Sequence, residues 1–425
     1  MNGKTILVWF RNDLRVHDNE ILLEAVKRAE KIIPVYCFDP RYFTETSYGT
    51  RKTGSFRAKF LLESVNGLRL SLQKLGGDLL IKVGMPEQIL PEICQKYAIS
   101  EVYHHREVAA EETEISEKVE TALWKQQINL KHFIGHTLYH KEDLPFPIKD
   151  IPDAFIAFKK KIERDSSVRP GFATPTQISV PVNLESTELP VLSDLGGLPI
   201  PQYDERTQHR FVGGEQEGLL RLKSFLSLHS VTQIKGIKNV TTITSMLSPW
   251  LALGCLSPRE VYWQVKDYEK DQPSGDIAAH VVLELQWRDY FRFMLKKHGS
   301  RITNGSKELT LVESEAFTAW KQGKTGVGVV DACMAELNST GYINNKCRQY
   351  IAMYLVKDAA VNWRAGAAYF EEKLIDYSPA SNWGNWTYIA GEGVMSVNRP
   401  IAIKPDLLVE EQYIKKWMSK LNELH

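Results

Sequence analysis

The sequence predicts two architectures joined in one chain: an α/β N-terminal domain with a parallel, Rossmann-like sheet, and an all-α C-terminal domain. Three observations carry this. Short apolar runs alternate with segments of helical period through residues 1–133, the pattern of a parallel sheet with helices on both faces. From about Gly214 onward nearly every segment has helical period. Between these stretches regular periodicity fades and prolines punctuate the chain. At 425 residues the chain exceeds what one hydrophobic core organises. The division is therefore 1–133, an interdomain linker at 134–208, and 209–425.

In the first part the apolar runs are Ile6 to Phe10, Ile32 to Phe38, Leu79 to Val83 and Val102 to His104. The clearest intervening helix carries Phe60, Leu61, Val65, Leu68 and Leu72 and closes at Gly76-Gly77. No G-x-G-x-x-G follows the first strand, so a dinucleotide in the usual Rossmann mode is not supported. That strand runs instead into WFRNDLRVHDN, Trp9 to Asn19. A loop beyond the carboxyl end of a strand is where open α/β sheets bind ligands, and a charged, solvated turn explains the same residues equally well. In the linker one helix is expected, from Ala154 to Glu163, with the rest packed along the surface.

Composition sets limits. Hydrophobic and charged fractions of 43% and 25% are those of a soluble globular protein. A formal charge of +1 excludes whole-molecule attraction to nucleic acid, so such binding must come from a local patch. Cys37, Cys94, Cys255, Cys333 and Cys347 are scattered, odd in number and form no C-x-x-C. Neither a disulfide framework nor a bound metal is expected, and a reducing compartment fits. No apolar run reaches membrane-spanning length and no signal peptide is evident, so a cytoplasmic monomer is expected.

The helical part carries several constellations. In TSMLSPWLALGCLSP, Ser248 before Pro249 reads as an N-cap followed by proline at the first helical position. Thr244, Ser245 and Ser248 also place three hydroxyls at a positive helix end, a natural phosphate site. In the helix His280 to Lys297, Glu284, Trp287, Arg288 and Phe291 share one face. Further on, Asn345 and Arg348 add an amide and a cation. Trp363, Ala367, Phe370 and Leu374 lie on one face of a helix, and Pro379 is read as ending regular structure. Asp376, Asn382 and Trp386 then converge at a tight loop, an arrangement suited to a flat, polar-edged aromatic ligand. The C-terminal helix, Leu407 to Leu421, reads as a docking helix through Ile414, Trp417 and Leu421.

These residues carry a resemblance. W-R-x-G with Y-F, then L-I-D-Y and S-N-x-G-N-W, resembles the flavin-cradling segment of the DNA photolyase and cryptochrome family, and most of all its cryptochrome DASH variant. Trp9 to Asn19 is similar to the family's W-F-R-x-D-L-R-x-x-D-N. The resemblance implies that the helical part is an FAD-binding domain. It assigns Thr244, Ser245, Leu247, Ser248 and Arg288 to the phosphate side of the cofactor, and Asn345, Arg348, Asp376 and Asn382 to its surroundings. Arg348 is expected to pair with Asp376, and Asn382 to lie at the ring edge. Glu284, Trp287, Tyr342 and Gln349 would line a cavity for a flipped-out pyrimidine dimer, with Trp386 and Trp363 as inner and middle members of an electron relay. Glu107 would touch a light-harvesting folate (5,10-methenyltetrahydrofolate) in the first domain.

The sequence also departs from the family. Ser378 stands where photolyases usually have a second aspartate, Ala335 replaces an arginine, and Gly328 replaces a proline. VMSVNRPIAIKPDLL replaces the usual tail, and the outer relay tryptophan would fall at Thr310. The expected function is thus a blue-light-absorbing FAD flavoprotein of cryptochrome DASH type, a photoreceptor with light-driven repair of cyclobutane pyrimidine dimers in single-stranded DNA as a retained activity. The alternatives are an ordinary duplex-acting photolyase and a redox flavoprotein with no use for light.

Overall fold

The computed structural model describes residues 3–207, 209–234, 244–271, 276–299, 314–392 and 407–418. Its sheet has five parallel strands: β1 (Thr5–Phe10), β2 (Lys31–Phe38), β3 (Leu80–Val83), β4 (Glu101–His105) and β5 (Asn129–Phe133). The order is β3-β2-β1-β4-β5. Central β1 is buried along its whole length, with Leu7 opposite Ile33 of β2 and Val102 of β4. Strand β5 was not among the expected runs. As an edge strand it buries only Leu130 and Phe133, one on each face of the sheet, so it forms no continuous apolar run.

Helices α1 (Glu20–Arg28), α2 (Ser55–Lys74), α3 (Pro86–Lys96) and α4 (Ala110–Trp124) connect the strands. Asn19 caps α1 through its side chain, which accepts from Leu22 N–H at 3.2 Å. Helix α2 ends where expected, with Gly76 at φ +89, a conformation that favours glycine. The linker holds α5 (Phe155–Asp165) and lies against the sheet domain, with Ile178 N–H bonded to Leu75 O and Ile32 N–H to Ser179 O.

The rest is helical: α6 (Glu215–Ile234), α7 (Ser248–Ala252), α8 (Pro258–Asp271), α9 (Asp276–His298), α10 (Glu315–Gln322), α11 (Gly328–Thr340), α12 (Asn345–Met353), α13 (Trp363–Lys373), α14 (Pro379–Ala390) and α15 (Leu407–Met418). A π-helical turn, Tyr354–Asp358, follows α12. Proline 379 begins a helix where the sequence reading had it end regular structure. Its ring suits the first turn, which needs no N–H there, while Ser378 before it is extended. Asn382, Gly384 and Trp386 are therefore helical and buried, with Asn382 and Trp386 on one face of α14 and Gly384 on the opposite one. Gly384 is required by packing: a Cβ there would overlap the Phe291 ring of α9.

The loop Trp9 to Asn19 turns out to be the joint between the two halves. Asp13, Arg15, Asp18 and Asn19 are all buried, so the solvated-turn reading is wrong. Leu14 N–H bonds Leu253 O, Arg15 Nη1 donates to Gly254 O at 2.9 Å, and Asp18 binds Arg259 at 2.6 Å. His17 pairs with Glu215. Gly254, at φ +65, has no room for a Cβ because Asn12 O lies against it.

Candidate functional site

Two cavities lie on either side of the Tyr377–Ser378 segment, and the larger adjoins this joint. The larger, 340 Å³, lies beyond the carboxyl ends of β1 and β2. It is bounded by aromatic Trp9, Tyr36, Phe38 and Tyr42, by Arg11, Asn12, Glu112 and Arg292, and across the joint by Tyr377, Ser378 and Trp383. The smaller, 80 Å³, is built by α12, α13, α14 and the segment before α14. Tyr377 and Ser378 line both.

Six of the expected residues meet at the smaller cavity: Asn345, Arg348, Gln349, Asp376, Asn382 and Trp386. Its fixed point is Asp376, which is buried and bonded through one oxygen. Oδ2 accepts from Arg348 Nη2 at 2.7 Å and from Ser248 Oγ at 2.6 Å. Burial alone would lower the Arg348 pKa, but the Asp376 carboxylate more than offsets this and holds it raised. Oδ1 of Asp376 is buried and has no partner. A carboxylate oxygen so placed is costly unless a ligand donor meets it, so this donor set fits a ring carrying N–H groups. Asn382 is fixed by its amide N–H donating to Ala367 O at 3.0 Å. Trp386 is 1% exposed and packs edge-on against Phe370 at 5.0 Å and Trp320 at 6.4 Å.

The stretch before α7 lies alongside. Ser248 does not cap α7; the cap position is Leu247, and the Ser248 hydroxyl is turned to Asp376. The carbonyls of Thr244 and Ser245 accept from Arg221 at 3.1 and 2.9 Å, and Ser245 Oγ donates to Glu284 Oε2 at 3.2 Å. Arg221 was missed in the sequence because its partners are main-chain atoms, which leave no side-chain pattern.

Other expected residues lie elsewhere. Glu284 and Arg288 do not pair, although they are one helical turn apart. Glu284 meets His280 and Ser245, whereas Arg288 donates to His136 O and Leu251 O. Burial, with Arg292 nearby, lowers the Arg288 guanidinium to about 10. Trp287 stacks on Phe155 of α5 at 3.6 Å, and Tyr342 leans on Phe211 at 4.7 Å with Arg348 over its ring. Trp363 is buried at the start of α13, 5.8 Å from Trp383. Thr310, Leu421 and most of the altered tail lie outside the described residues.

Glu107 is buried and committed within the protein. It accepts from Asn12 Nδ2 and Arg292 Nη2, both at 2.9 Å, and does not line the larger cavity. The acids that do are Glu112, five residues on in α4, with Glu111, Asp39 and Glu371. Among the described residues no helix is long and apolar enough to cross a membrane.

Comparison with known proteins accounts for both halves. The DNA photolyase family model matches residues 6–178, and the FAD binding domain of DNA photolyase matches 281–425. Cryptochrome DASH of Gloeobacter violaceus is 43% identical over 402 residues, spanning 92% of this chain and 80% of that protein. The crystal structure of a Synechocystis cryptochrome superposes with a TM-score of 0.89 at 39% identity, covering 99% of this chain and 90% of the other. An archaeal photolyase from Sulfolobus tokodaii, solved with two FAD molecules, superposes with a TM-score of 0.78 at 27% identity, covering 99% and 91%. With an α/β half and a helical half that both match, and a curated relative this similar over most of its length, the chain belongs to the DNA photolyase and cryptochrome family, in its cryptochrome DASH branch, and carries that family's FAD-binding domain.

Proposed function

We propose that the chain is a blue-light photoreceptor of cryptochrome DASH type whose FAD sits at the smaller cavity, and that it retains light-driven repair of cyclobutane pyrimidine dimers in single-stranded DNA. The observation that carries the reading is the buried Asp376, bonded through one oxygen and open at the other. FAD supplies absorption of blue light and one-electron chemistry when bound. Arg348 holds Asp376 in place, so that Oδ1 would accept from a ring N–H. Asn382, clamped to Ala367, holds its amide at the ring edge, and Asn345 and Gln349 complete the polar rim. Thr244, Ser245, Leu247 and Ser248 would offer main-chain N–H groups to the diphosphate, with the Thr244 hydroxyl, while the Ser245 and Ser248 hydroxyls hold Glu284 and Asp376. Arg288 acts there through position, since it ties Leu251 of α7 to the linker at His136. Trp386 and Trp363 carry electrons toward the cavity.

Glu284, Trp287, Tyr342 and Gln349 are assigned to the dimer, with Glu284 half-exposed and able to meet an extruded base. Extrusion costs least where the lesion is already in a single strand. The larger cavity would hold a second flat chromophore of folate or flavin kind, on the sheet side of the Tyr377–Ser378 wall. The chain acts as a monomer, divided at 1–133, 134–208 and 209–425. Blue-light repair of dimer-bearing oligonucleotides tests the reading: turnover on single strands and little on duplex supports it. Efficient duplex repair would make the chain an ordinary photolyase, and no repair on either would leave a receptor alone.

A further inference from the structure

The wall of the larger cavity nearest α4 consists of Asn12, Glu112 and Arg292, with Glu107 behind them. One amide serves both acids. Asn12 Nδ2 donates to Glu107 Oε1 at 2.9 Å and to Glu112 Oε1 at 3.2 Å. Two carboxyls joined in this way out of water do not both ionise readily. Their other partners decide which keeps the proton. Glu107 receives Arg292 Nη2 at 2.9 Å. Glu112 receives only the Ala109 N–H, at 3.3 Å. Arg11, the other near cation, donates instead to Ser116 Oγ and the Glu112 main-chain oxygen. Burial first, and then the Glu107 charge, push the Glu112 carboxyl up to about 7. Arg292 and Arg11 outweigh burial at Glu107 and hold it below the ordinary carboxylate range.

We propose that Glu112, which shares the Asn12 amide with Glu107, recognises the ligand of the larger cavity in its protonated form, by a pair of hydrogen bonds to the amide-like N–H/C=O edge of a flat heteroaromatic ring. The proposal rests on the reading of this cavity as a second chromophore site. A protonated carboxyl presents one donor and one acceptor side by side, which match the edge that flavins and pterins share; an ionised carboxylate presents acceptors alone and repels the ring carbonyl. The remaining walls suit the ring faces, with Trp9, Tyr36, Phe38, Tyr42 and Trp383 around a volume of 340 Å³.

Of the other acids on this cavity, Asp39 is paired with Arg41, and Glu371 of α13, which burial also raises, is told apart from Glu112 by the Glu112→Gln variant. Of the groups facing Glu112, Arg11 and Asn12 come from the joint, Arg292 from α9, Tyr42 from the turn after β2, Tyr377 from the shared wall, and Glu111, paired with Lys52, from α4. Burial raises Tyr42 and Tyr377 far above neutrality. His136, beside Glu107, is kept neutral because burial lowers it well below its ordinary value.

Equilibrium dialysis of the purified, FAD-retaining protein tests this, with riboflavin in one arm and 5-formyltetrahydrofolate in the other, at pH 6 and pH 8. The expected result is one bound probe per chain beyond FAD, the successful arm distinguishing flavin from pterin. Affinity should fall about tenfold from pH 6 to pH 8, since only the protonated form binds. Glu112→Gln, which keeps a donor and an acceptor but does not titrate, should bind equally at both pH values. Glu107→Gln should move the fall to lower pH. A pH-independent affinity of the unaltered protein, or an unchanged fall in Glu112→Gln, overturns the role of Glu112. Failure of both probes at both pH values overturns the chromophore reading of the cavity, and this role with it.

Discussion

Arg348 on α12 and Asp376 ahead of α14 are 28 residues apart in sequence and meet at 2.7 Å, through one carboxylate oxygen that Ser248 also holds. The pair ties three helices to one point on the smaller cavity. Removing one member of a buried pair strands the other's charge, at a cost of about 3–5 kcal/mol. Because the Arg348 side chain is still 24% exposed, we place Asp376→Ala at the low end, about 3 kcal/mol. It should purify with little flavin and a lowered thermal midpoint. Normal stability together with normal flavin content would refute the pairing's importance.

Close packing of α14 on α9 gives a second prediction. A methyl group at position 384 has to displace Phe291, whose ring is held against Trp287 and Tyr290. Gly384→Ala should therefore destabilise the protein by roughly 1–3 kcal/mol, the usual range for an overpacked core. Urea denaturation reads this directly, and a change within about 0.3 kcal/mol would show that the helices separate easily.

How much of this was legible in the sequence varies with the kind of signal. The face Trp363, Ala367, Phe370 and Leu374 is buried as its period requires, because periodicity reports burial in a helix directly. Helix α14 was hidden because proline marks a boundary without saying which side is helical. Strand β5 was hidden because, at the sheet edge, it buries only Leu130 and Phe133. The charged loop at Trp9 to Asn19 looked solvated because its partners, Glu215, Arg259 and the Gly254 carbonyl, lie some 200 residues or more away. The ligand-facing reading of this loop agrees with the cavity that Trp9, Arg11 and Asn12 line. Contacts made in three dimensions between distant segments have no local pattern to read.

Stability should depend on pH through two raised carboxyls. Burial raises Asp289 from 3.8 to about 6, although the Leu138 and Tyr139 N–H groups bond it, and raises Glu112 from 4.5 to about 7. A raised acid contributes stability that is fully present below its unfolded pKa and lost as pH climbs through the folded one. From these groups alone the thermal midpoint should drop between about pH 4 and pH 7. Glu112→Gln should flatten the upper part of that window, by an amount of order 1–3 kcal/mol. A variant whose pH profile parallels that of the unaltered protein would count against a raised Glu112.

Electron supply to the cavity is the third consequence of the helical packing. Trp386 is enclosed by Phe370 and Trp320, and Trp363 has Trp383 as its ring neighbour at 5.8 Å. Light-dependent reduction of bound FAD by an external thiol should cease in Trp386→Phe and, if the family resemblance aligns Thr310 with the outer tryptophan, speed up in Thr310→Trp. If Trp386→Phe is reduced at the normal rate, the relay does not run through this residue.

The most direct measurement is the visible spectrum of the purified chain, with flavin released and counted, before and during blue illumination under anaerobic thiol. One FAD per chain, bleached by light and restored by air, is the result expected of a DASH-type flavoprotein with its cofactor at the Arg348–Asp376 cavity. A colourless protein that takes up no FAD, or a bound flavin whose spectrum is unmoved by light, would contradict it.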